Sequence, residues 1–439
     1  RLSLIIKIFK FKYMKKSILS IIILLFSTNL SADITYTDSD IGNRNPITSP
    51  VDGYDKDSNS YVNPFADDEI QFQINAANFN DYLSYLTDGQ VEMFNIHPES
   101  FVMNIYPSRR SCAVPQEVLD LTKEGNVQMI ADGEGVEGVV GGIPFPNASE
   151  PLHHVWNHIL RYRGVDIIGG APYYVINPDG SKTEGAGEAI AKNFWNPFVS
   201  DENGKGLQGM LMQKVTHPPR LADASLLVIE SLNSLESPRK AWVYDPGTRR
   251  VRRAPNIAYD YLGSASQGLS TADSFDGFNG AKDRYNWSNV GTELKFLPYN
   301  TYDFYNAKRK DILNKFHVDQ SYMRYELVKV NIVRADLRSD KRHVYPHRVM
   351  YFDADSYGMM AEDVYDGKKE MMHYRELPLM NFYDEPACLA IHSATYSFGT
   401  GRYLLNNVRS SEIKKIIWRA KKPHDLKMFT PNGLKRYAK

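Results

Sequence analysis

The sequence SLLVIESLNSLESPRKAWVYDPGTRRVRR, residues 225–253, shows most directly how this chain folds. Its segments 225–230 and 240–244 are runs of aliphatic and aromatic residues, which favour β-strands. Asp245-Pro246-Gly247 is typical of a tight turn and leads into a third run, 249–253. We therefore expect the second and third strands to be antiparallel neighbours.

The same alternation of short apolar runs and turns continues along most of the chain. Further strands are predicted at 101–106, 173–176, 209–215, 293–297, 325–334, 348–353, 361–365 and 371–376. Helices are predicted at 79–86, ending at Gly89, at 115–123 and at 152–160, with Asn147 or Ser149 capping the last. These elements predict an α+β fold, with one large, curved, mostly antiparallel sheet and helices packed on one face.

Several predicted strands are apolar on both faces, among them 226–229, 241–244 and 349–352. One face of the sheet must pack against the helices. If the sheet curls, the other face lines a cavity or groove; otherwise a second layer packs on it. The candidates for a groove wall are Trp242, Tyr244, Phe275, Phe278 and Trp287, although each could also be a core residue.

The N-terminal part of the sequence predicts export. Met14, Lys15 and Lys16 precede an apolar run at 18–26 and Ser31-Ala32, which is the layout of a secretory signal peptide at 14–32. The apolar run is shorter than the ~20 residues needed to span a bilayer. We interpret 1–13 as upstream sequence, 33–68 as a loosely ordered arm, and 69–439 as a single domain with a basic C-terminal tail.

Charge and cysteine content narrow the classes of function. Residues 1–32 hold six of the 52 basic residues and no acidic residue, so residues 33–439 have a net charge of −6. This argues against nucleic-acid binding. An exported bacterial protein also meets no pool of ATP or NAD(P)H, and we expect no cofactor. The two cysteines, Cys112 and Cys388, are predicted to form a disulfide in an oxidising compartment.

The arginines of the third strand allow two interpretations. Strand alternation directs Arg250 and Arg252 to one face, and Arg249 and Arg253 to the other together with Val251. The run could form ion pairs with Asp273, Asp276 and Asp283. Alternatively, it could bind an anionic headgroup at the mouth of a groove.

The sequence contains few signs of catalysis or metal binding. His154 and His158 are one helical turn apart, but no H-E-x-x-H pattern is present, so we expect surface or capping histidines and no metal site. The carboxylate pairs Asp353/Asp355 and Asp273/Asp276 are expected to solvate turns. The alternative function is a periplasmic hydrolase that uses carboxylates or a histidine, with His217 and His347 as the candidate histidines.

Long motifs recur in order along the chain. They are Tyr106-Pro107-Ser108-Arg109-Arg110-Ser111, Gly142-Ile143-Pro144-Phe145-Pro146, Trp156-Asn157-His158, Arg161-Tyr162-Arg163-Gly164, Trp242-Val243-Tyr244-Asp245-Pro246-Gly247, Arg249-Arg250-Val251-Arg252-Arg253-Ala254-Pro255, Phe275-Asp276-Gly277-Phe278-Asn279-Gly280, Asp283-Arg284-Tyr285-Asn286-Trp287, Pro298-Tyr299-Asn300 and Phe429-Thr430-Pro431. Together they resemble a Gram-negative periplasmic family of unknown function in the LolA/LolB-like superfamily. Its members are often described as outer-membrane lipoprotein-sorting proteins.

The resemblance implies a fold and a class of function. LolA/LolB-like domains are incomplete antiparallel β-barrels in which helices cover an apolar cavity that holds acyl chains. The family has no established catalytic residues, so the resemblance assigns no catalytic residue to this chain, and we expect a protein that is not an enzyme. We expect a soluble periplasmic carrier or accessory protein that binds a lipid or other hydrophobic molecule. A candidate partner is an envelope transporter or an outer-membrane protein.

Overall fold

The computed structural model describes residues 41–47, 53–55, 60–195, 197, 206–254, 259–262, 266–408, 417–418 and 424–439. These residues belong to one compact unit, Asp38–Lys439. The predicted signal peptide, the residues before it, the first residues of the predicted arm and much of the basic tail lie outside the described residues.

The described residues are mostly β-structure. The strands are β1 (Tyr54–Asp55), β2 (Ser60–Tyr61), β3 (Phe72–Ile74), β4 (Met103–Tyr106), β5 (Gln128–Ile130), β6 (Gly135–Glu137), β7 (Asp166–Ile176), β8 (Lys182–Asn193), β9 (Leu207–His217), β10 (Ser225–Ser231), β11 (Lys240–Asp245), β12 (Arg250–Arg253), β13 (Tyr285–Pro298), β14 (Tyr325–Leu337), β15 (His347–Asp353), β16 (Met359–Tyr365), β17 (Met371–Glu376), β18 (Met380–Phe382), β19 (Ala387–Leu389), β20 (Ser393–Ser397), β21 (Arg402–Asn406) and β22 (Ile417–Trp418).

One sheet holds 16 of these strands. Its order is β12-β11-β10-β9-β8-β7-β21-β20-β17-β16-β15-β14-β4-β3, with β13 also paired to β14 and β22 to β7. Within it β4 and β14 are parallel, and the other pairs are antiparallel. Among the described residues β12 and β3 are the two ends, so the sheet is open. The predicted α+β class and large, mostly antiparallel sheet are confirmed.

The helices are α1 (Asp88–Ile96), α2 (Gln116–Glu124), α3 (Pro151–Leu160), α4 (Tyr302–Asn306), α5 (Arg309–Ile312) and α6 (Pro431–Tyr437). Trp156 of α3 packs in one core cluster with Met350 and Phe352 of β15. Leu434 of α6 packs with Leu227 of β10 in another. No helix among the described residues is both long and apolar enough to span a bilayer.

Strand register shows that the helices cover both faces of the sheet. Met350 and Phe352 point to one face, which we call the α3 face. Directly opposed residues share a face, and the pairs Tyr374–Tyr396, Tyr396–Tyr403 and Tyr403–Ile176 lead along the other face to Ile168, which packs with α6. We call this the α6 face. Since α1 contacts Tyr374, it lies on the α6 face as well. We expected the helices to pack on one face of the sheet, and this expectation is wrong. The physical reason is that strands with apolar side chains on both faces must bury both faces against other elements.

The local predictions for the first helices differ in part. Residues Phe79–Tyr85 form a 3₁₀-helix, and Gly89 lies inside α1 instead of ending a helix. The cause is a capping box: the Thr87 hydroxyl accepts the Gln90 N–H, and the Gln90 side chain accepts the Thr87 N–H. Glu150, not Asn147 or Ser149, caps α3.

Long-range contacts join early parts of the described chain to the hairpin β18–β19, which is a separate two-stranded sheet. Cys112 and Cys388 form the predicted disulfide, with their Cα atoms 5.5 Å apart. Within the segment 33–68, Tyr61 is buried and packs edge-on against Phe382 and Tyr383, at ring-centroid distances of 5.3 and 5.2 Å. The described part of this segment is therefore anchored in the core.

Candidate ligand cavity

A cavity of about 170 Å³ lies on the α3 face of strands β7–β10. Four directly opposed residues cross its floor, one from each strand: Ile167, Ala191, Leu211 and Val228. Leu226 and Gln213, also directly opposed, extend this surface. The floor is thus largely aliphatic.

Because side chains alternate along a strand, the residues between those of the cavity floor point to the α6 face. The neighbouring row, Ile168, Ile190, Met212, Leu227 and Trp242, packs in the cluster that includes Leu434 of α6. The two-sided apolar character of the predicted strand 226–229 therefore reflects a helix on one face and a cavity on the other.

Small residues help to leave this space open. Strand β8 reads KTEGAGEAIAKN and contributes Ala191 to the floor, while Gly209 of β9 also lines the cavity. Sequence reasoning missed β8, because Gly, Ala, Glu and Lys are depleted in strands.

The roof of the cavity is residues 271–280, which we call the strap. Ala272, Phe275 and Asn279 of the strap line the cavity. Phe275 is 42% exposed, so its ring is shared between the cavity and solvent. No apolar periodicity marks this segment in the sequence.

Ion pairs fix the strap to the sheet and to the end of α3. Asp276 accepts hydrogen bonds from Arg161 and Arg163, each at 2.7 Å. Asp273 accepts one from Arg348 at 2.7 Å. Burial alone would raise the pKa of both carboxyls, but the guanidinium groups outweigh it and hold each pKa below its usual value. The strap is therefore a firmly held element.

Arg375 holds the backbone of the strap. It donates hydrogen bonds to the carbonyl oxygens of Gly277 and Ser274, at 2.8 and 2.9 Å. Arg375 and Arg348 both bind Glu362, which is fully buried. Two sheet arginines thus share one carboxylate and both hold the strap.

The other end of the cavity is polar. Arg239 pairs with Glu230 at 2.5 Å and donates to the carbonyl oxygen of Asn279 at 2.9 Å. Gln208 donates to the Asn279 side chain at 3.1 Å, and Arg163 completes this rim. The cavity therefore combines an aliphatic floor with a rim that carries guanidinium groups.

The structure places the five predicted wall residues differently. Only Phe275 lines the cavity. Trp242 and Tyr244 lie on the α6 face with Phe429, because Trp242 directly opposes Leu227. Phe278 and Trp287 pack edge-on, with ring centroids 5.5 Å apart, in the cluster beneath α3. These four are core residues of two other clusters, so they do not form a wall of this cavity.

The predicted pairing of the arginine run with nearby acids is wrong. Arg249, Arg250, Arg252 and Arg253 are all exposed, and Arg252 bonds Asp245 at 3.1 Å. Asp273 and Asp276 bind the arginines named above, and Asp283 binds Lys341 at 2.7 Å. The reason is that, within the described parts of the chain, β12 pairs with a strand on one side only. An edge strand leaves room for arginines on both faces, which a central strand does not.

The predicted orientation is correct for Arg250, Arg252 and Val251, whereas Arg249 lies in the turn before β12, with a φ of 55°. Val251 packs with α6, so Arg250 and Arg252 point to the α3 face, which also carries the cavity. Arg252 directly opposes Val243, and Val243 directly opposes Leu226 of the cavity. Since strands lie ~4.8 Å apart, Arg252 is about 10 Å from the cavity wall.

The carboxylate pairs and histidines are more buried than expected. Asp353 and Asp273 are buried, so the expectation that they solvate turns is wrong. Burial and the neighbouring Asp355 raise the pKa of Asp353 to about 6. His154 and His158 are buried as well, not on the surface. Burial lowers the pKa of His158 to about 3, so its ring is neutral.

Hydrogen bonds give His158 a structural role. Its Nδ1 accepts the Met359 N–H at 3.0 Å, and its Nε2 donates to the Asp276 carbonyl oxygen at 2.6 Å. No group of three His, Cys, Asp or Glu residues among the described residues is placed to hold a metal. His217 is exposed, and His347 lies 2.7 Å from Asp336, away from the cavity.

Comparisons with known proteins place the chain among relatives of unknown function. The model of a family described as protein of unknown function (DUF1329) matches residues 73–435. An uncharacterized protein of Pseudomonas aeruginosa is 34% identical over 369 residues, which are 81% of this chain and 80% of the relative.

The chain is also similar to solved structures. A DUF1329 family protein from Desulfovibrio piger has a TM-score of 0.42 and 14% identity, and covers 62% of this chain and 92% of its own. A LolA superfamily protein from Nitrosomonas europaea has a TM-score of 0.38 and 10% identity, and the match covers 64% of this chain and 98% of the Nitrosomonas chain. A proposed outer membrane lipoprotein-sorting domain from Vibrio parahaemolyticus has a TM-score of 0.44 and 15% identity, and covers 64% and 97%.

Proposed function

Because the chain belongs to the DUF1329 family of proteins of unknown function, we propose its function from the geometry of its cavity. We infer a periplasmic carrier or accessory protein that binds a lipid or other apolar molecule between the sheet and the strap. The observation that carries this proposal is the aliphatic floor of β7–β10 beneath a roof held by ion pairs.

The size of the cavity limits which part of a ligand it can bury. Its volume of about 170 Å³ is close to that of an engineered ~150 Å³ cavity in another protein that binds benzene. The buried part is therefore a ring or a short alkyl segment. Removing that part from water favours binding by roughly 25 cal/mol for each Å² of apolar area.

The rest of the ligand would extend toward the arginines. Arg163 lies at the cavity, and Arg249, Arg250, Arg252 and Arg253 lie on the sheet edge beyond it. Guanidinium groups bind phosphate and carboxylate well. An amphiphile with an acidic headgroup is the ligand class that fits this arrangement.

The compartment and the partner belong to the same proposal. The predicted signal peptide favours export, and the Cys112–Cys388 disulfide suits an oxidising compartment such as the periplasm. There an envelope transporter or outer-membrane protein would deliver or accept the ligand.

A substitution that fills the cavity tests the proposal. Ala191→Leu adds three carbon atoms to the floor, and the matched control Ala186→Leu makes the same change in the same strand, at a residue that opposes Pro172 and His217, neither of which lines the cavity. We expect Ala191→Leu to weaken binding of N-phenyl-1-naphthylamine about tenfold or more, with Ala186→Leu close to wild type. Dye titration and native mass spectrometry of lipid-loaded protein measure this. Equal affinity in all three proteins, or no dye binding by the wild type, would overturn the proposal.

A further inference from the structure

The sheet edge beside the cavity presents a strip of positive charge. Arg250 and Arg252 are exposed on the same face as the cavity, and Arg249 and Arg253 are exposed at the two ends of the strand. The side chain of Arg252 is 64% exposed although it contacts Asp245. No strand that the structure describes lies beyond β12, so these arginines stand along an end of the sheet.

An exposed apolar patch adjoins the strap. Tyr261 is 50% exposed, and Leu262 and Phe275 are each 42% exposed. The Tyr261 carbonyl oxygen accepts the Ala272 N–H at 2.9 Å, and Leu262 is bridged to Thr271, so these residues lie against the start of the strap. Exposed apolar side chains that cluster in this way mark an interaction surface.

The charged strip and the apolar patch flank the same cavity. Phe275 belongs to both the patch and the cavity lining, and Leu226 joins the cavity to the Val243–Arg252 row. Guanidinium groups bind phosphate oxygens in pairs, and tyrosine favours the boundary between headgroups and acyl chains. Charge complementarity therefore selects an anionic lipid bilayer as the occupant.

We propose that this surface docks the cavity on an anionic lipid bilayer, with the arginines on the headgroups and the patch against the acyl boundary. The inference rests on the proposed function, because docking gives a carrier direct access to lipid. It is reversible surface attachment, since two arginines and a few apolar side chains insert little area.

Co-sedimentation with lipid vesicles tests the docking surface. We expect the full chain to sediment with vesicles that contain phosphatidylglycerol, to be released by salt, and to stay in solution with phosphatidylcholine alone. Arg250→Gln with Arg252→Gln should lower the partition coefficient roughly 30-fold. The matched control, Lys368→Gln with Lys369→Gln in the exposed turn between β16 and β17, should sediment like wild type. Tyr261→Ser with Leu262→Ser should also weaken sedimentation.

Two results of the sedimentation experiment would overturn docking. The first is equal sedimentation with both kinds of vesicle, and the second is an arginine variant that sediments like the lysine control. Partner capture through the open edge of β12 would appear as no vesicle binding at all, and would also overturn it. Dye binding is measured in parallel: a wild type that binds dye but no vesicles leaves the proposed function standing, and vesicle binding without dye binding rejects the proposed function alone.

Discussion

Glu376 is a fully buried carboxyl group on the α6 face of β17. Its Oε1 accepts hydrogen bonds from Tyr325 at 2.8 Å and from Tyr374 at 3.4 Å. Burial outweighs these bonds and raises the pKa of Glu376 to about 7. The folded protein therefore keeps a proton near neutral pH that the unfolded chain releases.

This proton predicts how stability depends on pH. An acid with a raised folded-state pKa loses stability as the pH climbs from its unfolded pKa, 4.5, to its folded pKa, about 7. We expect the ionisation of Glu376 to lower the free energy of unfolding of wild type relative to that of Glu376→Gln by on the order of 3 kcal/mol between pH 5 and pH 8, because the amide variant has no proton to release at this position. Urea titrations at both pH values measure it. Parallel pH dependence of wild type and Glu376→Gln would contradict the assignment.

Helix α1 is positioned by its first turn. The backbone N–H groups of Asp88 and Gly89 donate to Asp363 at 3.1 and 3.0 Å, so a sheet carboxylate binds the helix N-terminus. Gly89 lies against the ring of Tyr374: a Cβ atom there would be 2.3 Å from Tyr374 Cδ2. Close packing, not backbone freedom, therefore requires glycine at this position.

Substitution of Gly89 separates helix propensity from packing. Propensity alone predicts that Gly89→Ala stabilises the helix by ~1 kcal/mol. The contact with Tyr374 predicts the opposite, a loss of about 1–3 kcal/mol. Chemical denaturation decides between them. Gly367→Ala is the control, because a Cβ at Gly367 has no atom within 4 Å; it should be close to neutral. An increase in the stability of Gly89→Ala would show that α1 is not held against Tyr374.

The disulfide joins distant parts of the whole molecule. Cys112 and Cys388 are 276 residues apart in sequence, and both are buried. Without the bridge the unfolded chain gains conformational entropy. Cys112→Ser with Cys388→Ser should therefore lower the free energy of unfolding by about 2–5 kcal/mol. Denaturation in the absence of reductant measures this loss, and wild type treated with reductant is the control. Unchanged stability in both would mean that the bridge adds nothing to the fold.

Patterns local in sequence were sufficient for most strands and for two helices. The runs 225–230 and 348–353 correspond closely to β10 and β15, because β-branched and aromatic residues bounded by turns favour strands whatever their neighbours. Strand β8 was missed, because its small residues become strand only by pairing with β7 and β9.

The candidate site was less predictable. Phe275 was identified, but Ala191, Leu211 and Arg163 were not, since no spacing in sequence connects strands β7–β10 with the strap. Arg163 stands in a motif quoted for the family resemblance, yet only its bond to Asp276 shows where it acts. Likewise, the arginine run is exposed because β12 is an edge strand among the described residues, and this position can be known only from the strand order.

By itself the sequence determined the α+β class, the strand-rich architecture, the disulfide pair and the facing of Arg250 and Arg252. These follow from side-chain type, from the two-residue period of strands and from the count of cysteines. Only the tertiary structure decided which face is covered by α6, which face keeps a cavity, and which arginines meet Asp273 and Asp276. Those outcomes depend on strand order and register, and hydrogen bonding between strands far apart in the chain sets both.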